Sequence, residues 1–381
     1  MTSEKAPTKS LGNVLVVGGC GFLGHHIVRQ LSETYSCNLS VLDLKTTRNR
    51  FPNVSYHDVD ITSSEAVTSA FKSLNPQVII HTASPATVTE GSSSREKGNA
   101  GKIFYKVNVE GTRNLLEQAT QLGGVKAFVY TSSASIIHDH GSDLINADER
   151  WPRLYAPTQK EYYSETKAIA EESVLAANRK DGSDMLTCAL RPALLYGEGD
   201  MQYFPNLMTA YAKGQTKFQL GENDNLWNFT YAGNAAHAHI LAAIALLQTH
   251  SLNTEPLDNE KVDGEAFIIT DGEPLYFWDF VRTVWRAAGD KTELRQVWTL
   301  DRSTGLFIAT IIEWLFWFAG GRVPNLSRQK VNYSCMARYF SIDKAKDRLG
   351  YKPQTDMKDA IERSVQWFQE RQEVGAEKKD Q

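Results

Sequence analysis

The chain has 381 residues, 41% hydrophobic and 23% charged, with a net charge of −4. It can bury a full core as one large domain or two intimate ones, and it has no basic field to draw nucleic acid. The cysteines Cys20, Cys37, Cys188 and Cys335 form no CxxC or Cys/His cluster, which excludes a disulfide framework and a metal centre of that kind.

Met1–Ser10 is polar without the apolar core of a secretory signal, so 1–10 reads as a disordered tail. Asn13–Val17 is a short apolar run ending in glycines, a parallel strand buried on both faces. A helix over Leu23–Leu31 follows, then a strand over Leu39–Leu42 ending at Asp43, and a third short strand before Asp60. Next come a helix at Ser64–Leu74, a strand at Val78–His81, a helix at Asn108–Gln121, a strand at Ala127–Thr131, a helix at Tyr162–Asn178 and a strand at Leu186–Leu190. This alternation specifies an α/β fold, a Rossmann-type doubly wound parallel sheet, with 11–191 as its dinucleotide-binding domain. Past Pro192 the pattern loosens into aromatics and loops, with one more strand at Ala266–Thr270. Residues 192–370 are expected to form a smaller, partly interleaved substrate domain. Gly91–Gly101 reads as a mobile surface insertion and 371–381 as a frayed charged tail.

Gly18, Gly21 and Gly24 fall between the first strand and its helix. The turn needs a residue without Cβ, a pyrophosphate needs close backbone approach, and the helix N-terminus offers free N–H groups. Asp43, about 20 residues on, is placed to hydrogen-bond the adenosine ribose and repel a 2′-phosphate, which favours NAD. Lys45 and Arg48 follow closely and could accommodate the phosphate of NADP. Asp60 and Ile61 could bracket the adenine, and His81-Thr82-Ala83-Ser84 ends a strand at the carboxyl edge where ligands bind. His81 itself reads as a core histidine.

Tyr163 and Lys167, four apart, share a helix face. A phenol is a poor acid–base group at neutral pH, and a nearby ammonium is expected to bring its pKa down. Lysine can also hold ribose hydroxyls, and Ser132 or Ser133 could hydrogen-bond a reacting oxygen. Each feature alone is common. Glycines, acid, serine and Tyr/Lys in this order point to hydride transfer on a secondary alcohol.

The chain resembles the extended short-chain dehydrogenases/reductases, in their 3β-hydroxysteroid dehydrogenase branch. The resemblance rests on Val17-Gly18-Gly19-Cys20-Gly21-Phe22-Leu23-Gly24, His81-Thr82-Ala83-Ser84, Asn108-Val109-Glu110-Gly111-Thr112, Tyr130-Thr131-Ser132-Ser133, Tyr163 to Lys167, and Leu190-Arg191-Pro192 with Tyr196-Gly197. It implies Ser133, Tyr163 and Lys167 as the catalytic set. It implies cofactor contacts from Phe22, Leu23, Ala83, Ser84, Tyr163, Lys167 and Pro192 beside the glycines, Asp43, Asp60 and Ile61. Asn108 is implied to steady the strand edge.

Within that branch, Phe22-Leu23-Gly24-His25-His26-Ile27-Val28 and His57-Asp58-Val59-Asp60-Ile61-Thr62 resemble the fungal enzymes that oxidise 4α-carboxysterols at C3 with decarboxylation. This implies a sterol substrate, a role in ergosterol synthesis, and association with a sterol C4-demethylation complex or a homodimer. Tyr203, Phe204, Tyr211, Phe218, Trp227, Phe229 and Tyr231 suit an apolar ligand or a second core, and no Arg/Lys clamp for a nucleotide diphosphate stands out. Leu306–Ala319, within the apolar segment 305–321, is too short to span a bilayer and carries Glu313. It suits an interfacial helix in peripheral membrane contact, or equally a core or dimer helix. Lys378 and Lys379 resemble a dilysine retrieval signal, or are a solvated tail. The expected location is the cytosolic face of the endoplasmic reticulum membrane, with the cytoplasm as alternative. Other readings are a 3β-hydroxysteroid dehydrogenase/isomerase, a terpenoid-pathway dehydrogenase, a sugar-nucleotide epimerase, a flavonoid-type reductase, and a binding protein without catalysis.

Overall fold

The computed structural model describes residues 10–85, 99–252, 254–318 and 326–377. Its centre is a seven-stranded parallel sheet in the order Glu265–Ile269, Leu186–Pro192, Ala127–Thr131, Val78–His81, Asn13–Val17, Asn38–Asp43, Ser55–Asp58. The central strands are unbroken apolar runs because both faces are covered. Val14, Val16, Val78, Ile80 and Val129 point to one side, towards helices Phe22–Thr34 and Ala232–His250. Leu15, Val17, Ile79 and Phe128 point to the other, towards Ser64–Leu74, Thr112–Leu122 and Tyr162–Ala176. After its first three strands the chain crosses to the far side of Asn13–Val17. The strand order therefore reverses between Asn13–Val17 and Val78–His81, and the crevice at their carboxyl ends is where such sheets bind ligands.

The expected boundary at 191/192 is crossed in both directions. Leu144–Ala147 leaves the first region to join a four-stranded sheet with Arg338–Phe340, Leu226–Trp227 and Leu275–Tyr276. Ala232–His250 and Glu265–Ile269 come back from the second region to complete the large sheet and its cover. The small sheet encloses a second core in which Phe229 and Phe280 stack with centroids 3.7 Å apart. Phe204, Trp227, Phe229 and Tyr231 all belong to that core.

Two local expectations change. The helix expected from Asn108 is preceded by a helix Asn99–Phe104 and a π-helical stretch Tyr105–Gly111, before regular helix resumes at Thr112. Asn99–Gly101 is thus helical rather than loop, while 91–98 lies outside the described residues. The wider turn presents Asn108, whose Nδ2 donates to Thr166 Oγ1 at 3.0 Å on the neighbouring helix. The last helix, Met357–Glu377, runs on through Arg371–Glu377, the stretch expected to fray. Arg371, Gln372, Glu373 and Ala376 favour helix there despite Gly375, and the Arg371 guanidinium sits 4.8 Å from the Trp367 ring centre. Lys378–Gln381 lies outside the described residues.

One ion pair ties the layers together. Glu171, on the helix Tyr162–Ala176, accepts a two-pronged bond from Arg191 of the strand Leu186–Pro192, at 2.6 Å from Nη2 and 3.0 Å from Nε. Their side chains are 0% and 4% exposed. Burial opposes the Glu171 charge, but the Arg191 guanidinium overrides it and holds the carboxyl below its ordinary range. The folded pKa is therefore depressed, and this stabilisation is fully present above the unfolded carboxylate's pKa and lost as pH falls from there through the depressed folded value. Glu171→Ala, which strands a buried guanidinium, is expected to lower unfolding free energy by about 3–5 kcal/mol in urea titrations at pH 7. The gap from wild type should narrow as pH falls below about 4; a pH-independent gap would refute the assignment.

Candidate active site

The reversal crevice opens into one cavity of about 2240 Å³. One ligand pocket usually measures ~300–1,000 Å³, so this space suits two molecules side by side. One end is formed by the glycine turn. Gly18 adopts φ +85°, and a Cβ there would lie 2.6 Å from the Ala83 nitrogen. At Gly24 a Cβ would overlap the Gly18 carbonyl. Only glycine satisfies either position. Phe22, Leu23 and Gly24 open the helix, so their N–H groups have no carbonyl one turn back, and all three residues line the cavity.

Asp43 lines the same end, its Oδ2 accepting the Cys20 N–H at 3.0 Å. Lys45 and Arg48 line it too. Asp60 accepts from the Thr62 N–H and hydroxyl at 2.9 and 2.7 Å, and the backbone bond leads in holding its carboxyl below the ordinary range. Ile61, Ala83, Ser84 and Pro192 complete the lining. The Ser84 hydroxyl is buried and has no hydrogen-bond partner among the described residues. Glycine turn, free helix-end N–H groups and strand-end carboxylate together fit a nicotinamide dinucleotide. His81 does not line the cavity; its Nε2 meets the Thr112 hydroxyl at 3.0 Å inside the fold.

The middle of the cavity brings Ser133, Tyr163 and Lys167 together. Ser133 caps a short 3₁₀ turn, and its hydroxyl bonds Ser135 Oγ at 2.8 Å. Ser164 donates to the same Ser135 oxygen at 2.8 Å. Burial, followed by the charge of Glu161, pushes the Tyr163 phenol up, and a hydrogen bond with Ser133 pulls it back, leaving it at about 12. Ser132 is buried beside Glu171 rather than paired with the phenol.

Lys167 departs from expectation. Its Nζ donates to the Thr131 carbonyl at 2.8 Å and lies 4.9 Å from the Tyr130 ring centre. It contributes nothing resolvable to the Tyr163 shift, because a buried ammonium takes the nearest carbonyl. Burial alone brings it down to about 7. In this arrangement Ser133, not Lys167, favours the phenolate.

The rest of the cavity joins Tyr203, already expected from its aromatic stretch, to groups that local motifs did not reveal. Tyr203, Tyr333, His140, Glu161 and Arg338 line it, as do the cations Lys217, Lys330 and Arg371. These cations are scattered along the chain and are brought to one cavity only by folding. Phe218 and Trp298 pair on adjacent short strands at the rim, 50% and 77% exposed.

Beside that rim lies the helix Arg302–Phe318. It buries Gly305 and Ala309 near Val331 of the helix Arg328–Cys335, and Glu313 bonds Arg328 at 2.6 Å. Its other side exposes Phe307, Ile311, Trp314, Leu315, Trp317 and Phe318. No helix among the described residues is long and apolar enough to cross a membrane.

A model of the 3-beta hydroxysteroid dehydrogenase/isomerase family matches residues 15–302. The sterol-4-alpha-carboxylate 3-dehydrogenase, decarboxylating, of Schizosaccharomyces pombe is 38% identical over 94% of this chain and 98% of its own length. Its counterparts in Candida albicans and Homo sapiens are 37% and 33% identical, over 95% and 96% of this chain and 99% and 90% of their own lengths. In three dimensions the chain is similar to the UDP-glucose 4-epimerase of Thermotoga maritima, at a TM-score of 0.67 and 20% identity over 94% of this chain and 99% of that one. It is also similar to that of Thermus thermophilus in complex with NAD, at 0.64 and 23% over 93% and 98%. These two likenesses concern the doubly wound fold. By sequence over three quarters of its length, the chain belongs to the 3-beta hydroxysteroid dehydrogenase/isomerase family.

Proposed function

We propose that this protein oxidises the 3β-hydroxyl of a 4α-carboxysterol to the 3-ketone, with loss of the C4 carboxylate, as a step of sterol (ergosterol) biosynthesis. The observation that carries the reading is the position of Ser133, Tyr163 and Lys167 between a dinucleotide cradle and a deep aromatic cavity. Full-length similarity to three decarboxylating sterol dehydrogenases supports the choice of substrate. Asp43 supports NAD over NADP by repelling a 2′-phosphate.

Bound in the cradle, the nicotinamide would supply the hydride acceptor for C3, and its positive charge would favour the Tyr163 phenolate that burial disfavours. The Tyr163 phenolate takes the C3 hydroxyl proton, and the Ser133 hydroxyl holds the oxygen as it becomes a carbonyl. The ketone now lies β to the carboxylate. The bond from C4 to the carboxyl carbon breaks, its electron pair moves into the C3 carbonyl as an enolate, and carbon dioxide leaves. Ser133 and the newly protonated Tyr163 donate to that enolate oxygen, and C4 is then reprotonated. Tyr163→Phe is expected to lower turnover about 10²–10⁴-fold while leaving NAD affinity nearly unchanged by fluorescence titration. In the wild type, ketone formation and carbon dioxide release should match one to one. Accumulation of a 4-carboxy-3-ketone, or a shift of a ring double bond instead, would favour a plain dehydrogenase or a dehydrogenase/isomerase.

The exposed side of Arg302–Phe318 supports peripheral attachment to a bilayer, at the cytosolic face of the endoplasmic reticulum. Trp and Phe beside Leu and Ile suit the headgroup boundary, and this side adjoins the rim of the cavity that would receive a sterol. Trp314→Glu with Trp317→Glu should reduce co-sedimentation with phosphatidylcholine/phosphatidylserine vesicles several-fold. Unchanged sedimentation with loss of a dimer would assign the face to a second copy of the chain.

A further inference from the structure

The proposed substrate carries a carboxylate on the carbon next to the one that reacts. With C3 at Tyr163 and Ser133, that anion must fall against the cavity wall nearest these two side chains, where it needs a cation. Arg338 lines the same cavity. It begins the strand Arg338–Phe340, paired on one side with Trp227 and on the other with Leu144, which fixes its backbone in the small sheet. The half-buried guanidinium lies 5.5 Å from the Trp227 ring centre and 6.0 Å from that of Tyr333, an aromatic seat that orients the fork.

Four groups near the site feel its charge: His138, His140, Glu161 and Tyr333. Glu161 in turn acts on Tyr163, so the guanidinium and the candidate base share one electrostatic neighbourhood. Among the described residues, no carboxylate lies within ion-pair distance of Arg338. The nearby acid Glu161 is 3.4 Å from His140 Nε2, and burial raises its pKa towards the neutral form. Lys217 is beside the exposed Phe218, and Arg371 rests on Trp367.

We propose that Arg338 is the specificity-determining residue that binds the C4 carboxylate of the substrate, fixing which face of C3 meets Tyr163. This rests on the carboxysterol reading above. A guanidinium suits the task because its planar fork can meet both carboxylate oxygens, which a lysine ammonium cannot do. An apolar rim and a single cation at depth would distinguish a sterol acid from a neutral sterol by charge at one point.

The test compares kcat/KM for a 4α-carboxy-3β-hydroxysterol with that for the same sterol bearing a 4α-methyl group. Wild type should favour the acid. In Arg338→Gln the acid-to-neutral ratio should fall about 10- to 100-fold, mainly through KM for the acid. Arg338→Lys should recover part of that ratio, since it restores charge without the fork. Thermal melting and NAD titration of each variant report whether the fold and cradle are intact. An unchanged ratio in Arg338→Gln, or equal losses on both substrates, overturns the assignment. A wild type that oxidises the neutral sterol as well as the acid and releases no carbon dioxide refutes instead the carboxysterol reading on which it rests.

Discussion

The fork between Glu171 and Arg191 is the contact to which the rest of the site is referenced. Glu171 lies one helical turn beyond Lys167, and Arg191 immediately precedes Pro192 at the cavity wall. A planar guanidinium meeting both carboxylate oxygens fixes distance and also rotation. The helix therefore cannot turn about its axis without breaking the pair, and such a turn is what would draw Tyr163 away from Ser133. A pair sealed from solvent gains little net stability from its charges, but it is intolerant of partial loss. Its value here is registry: the strand end that borders the cofactor cradle and the helix that carries the phenol move as one piece.

Around that fixed point the cavity has a consistent electrical logic. Burial pushes Tyr163 up and Lys167 down, so each is driven towards its uncharged form. The catalytic pair is thus held towards minimal charge, while Asp43, Lys45 and Arg48 line the cradle and Arg338 lines the same cavity. Otherwise the lining is mainly hydroxyls, aromatics and aliphatics. A proton moving at the centre is thus poorly screened by water, and the hydroxyl chain Ser133–Ser135–Ser164 supplies dipoles in place of solvent.

The parts of the site that were legible in the sequence are those specified by short spans of chain. Gly18, Gly21 and Gly24 share a turn, and Tyr163 and Lys167 share a helix face, so spacing alone places them. The parallel sheet was legible for the same reason, since strands buried on both faces appear as apolar runs. Arg338 and Tyr333 were not, because their place in the cavity depends on strand pairings between distant segments. The direction of Lys167 was also hidden: spacing gives the face it occupies, but not that the Thr131 carbonyl would be its nearest acceptor. Helical continuation past Arg371 was missed because charged residues with high helix propensity look the same in a tail and in a helix. The π-helical stretch at Tyr105–Gly111 leaves no periodicity that a helical pattern would reveal.

The crossing of the expected domain boundary has a consequence for how the protein is made. Leu144–Ala147 finds its partner in Arg338–Phe340, and the Ala337 N–H donates to Asp143 across 194 residues. Contacts of such sequence separation close late, because the loop entropy must be lost before pairing compensates it. During synthesis the strand Leu144–Ala147 emerges long before its partner and must wait, edge exposed, until nearly the whole chain has left the ribosome. A product ending before Arg338 could not complete the small sheet, so such shortened chains would be substrates for chaperones and proteases rather than half-active enzymes.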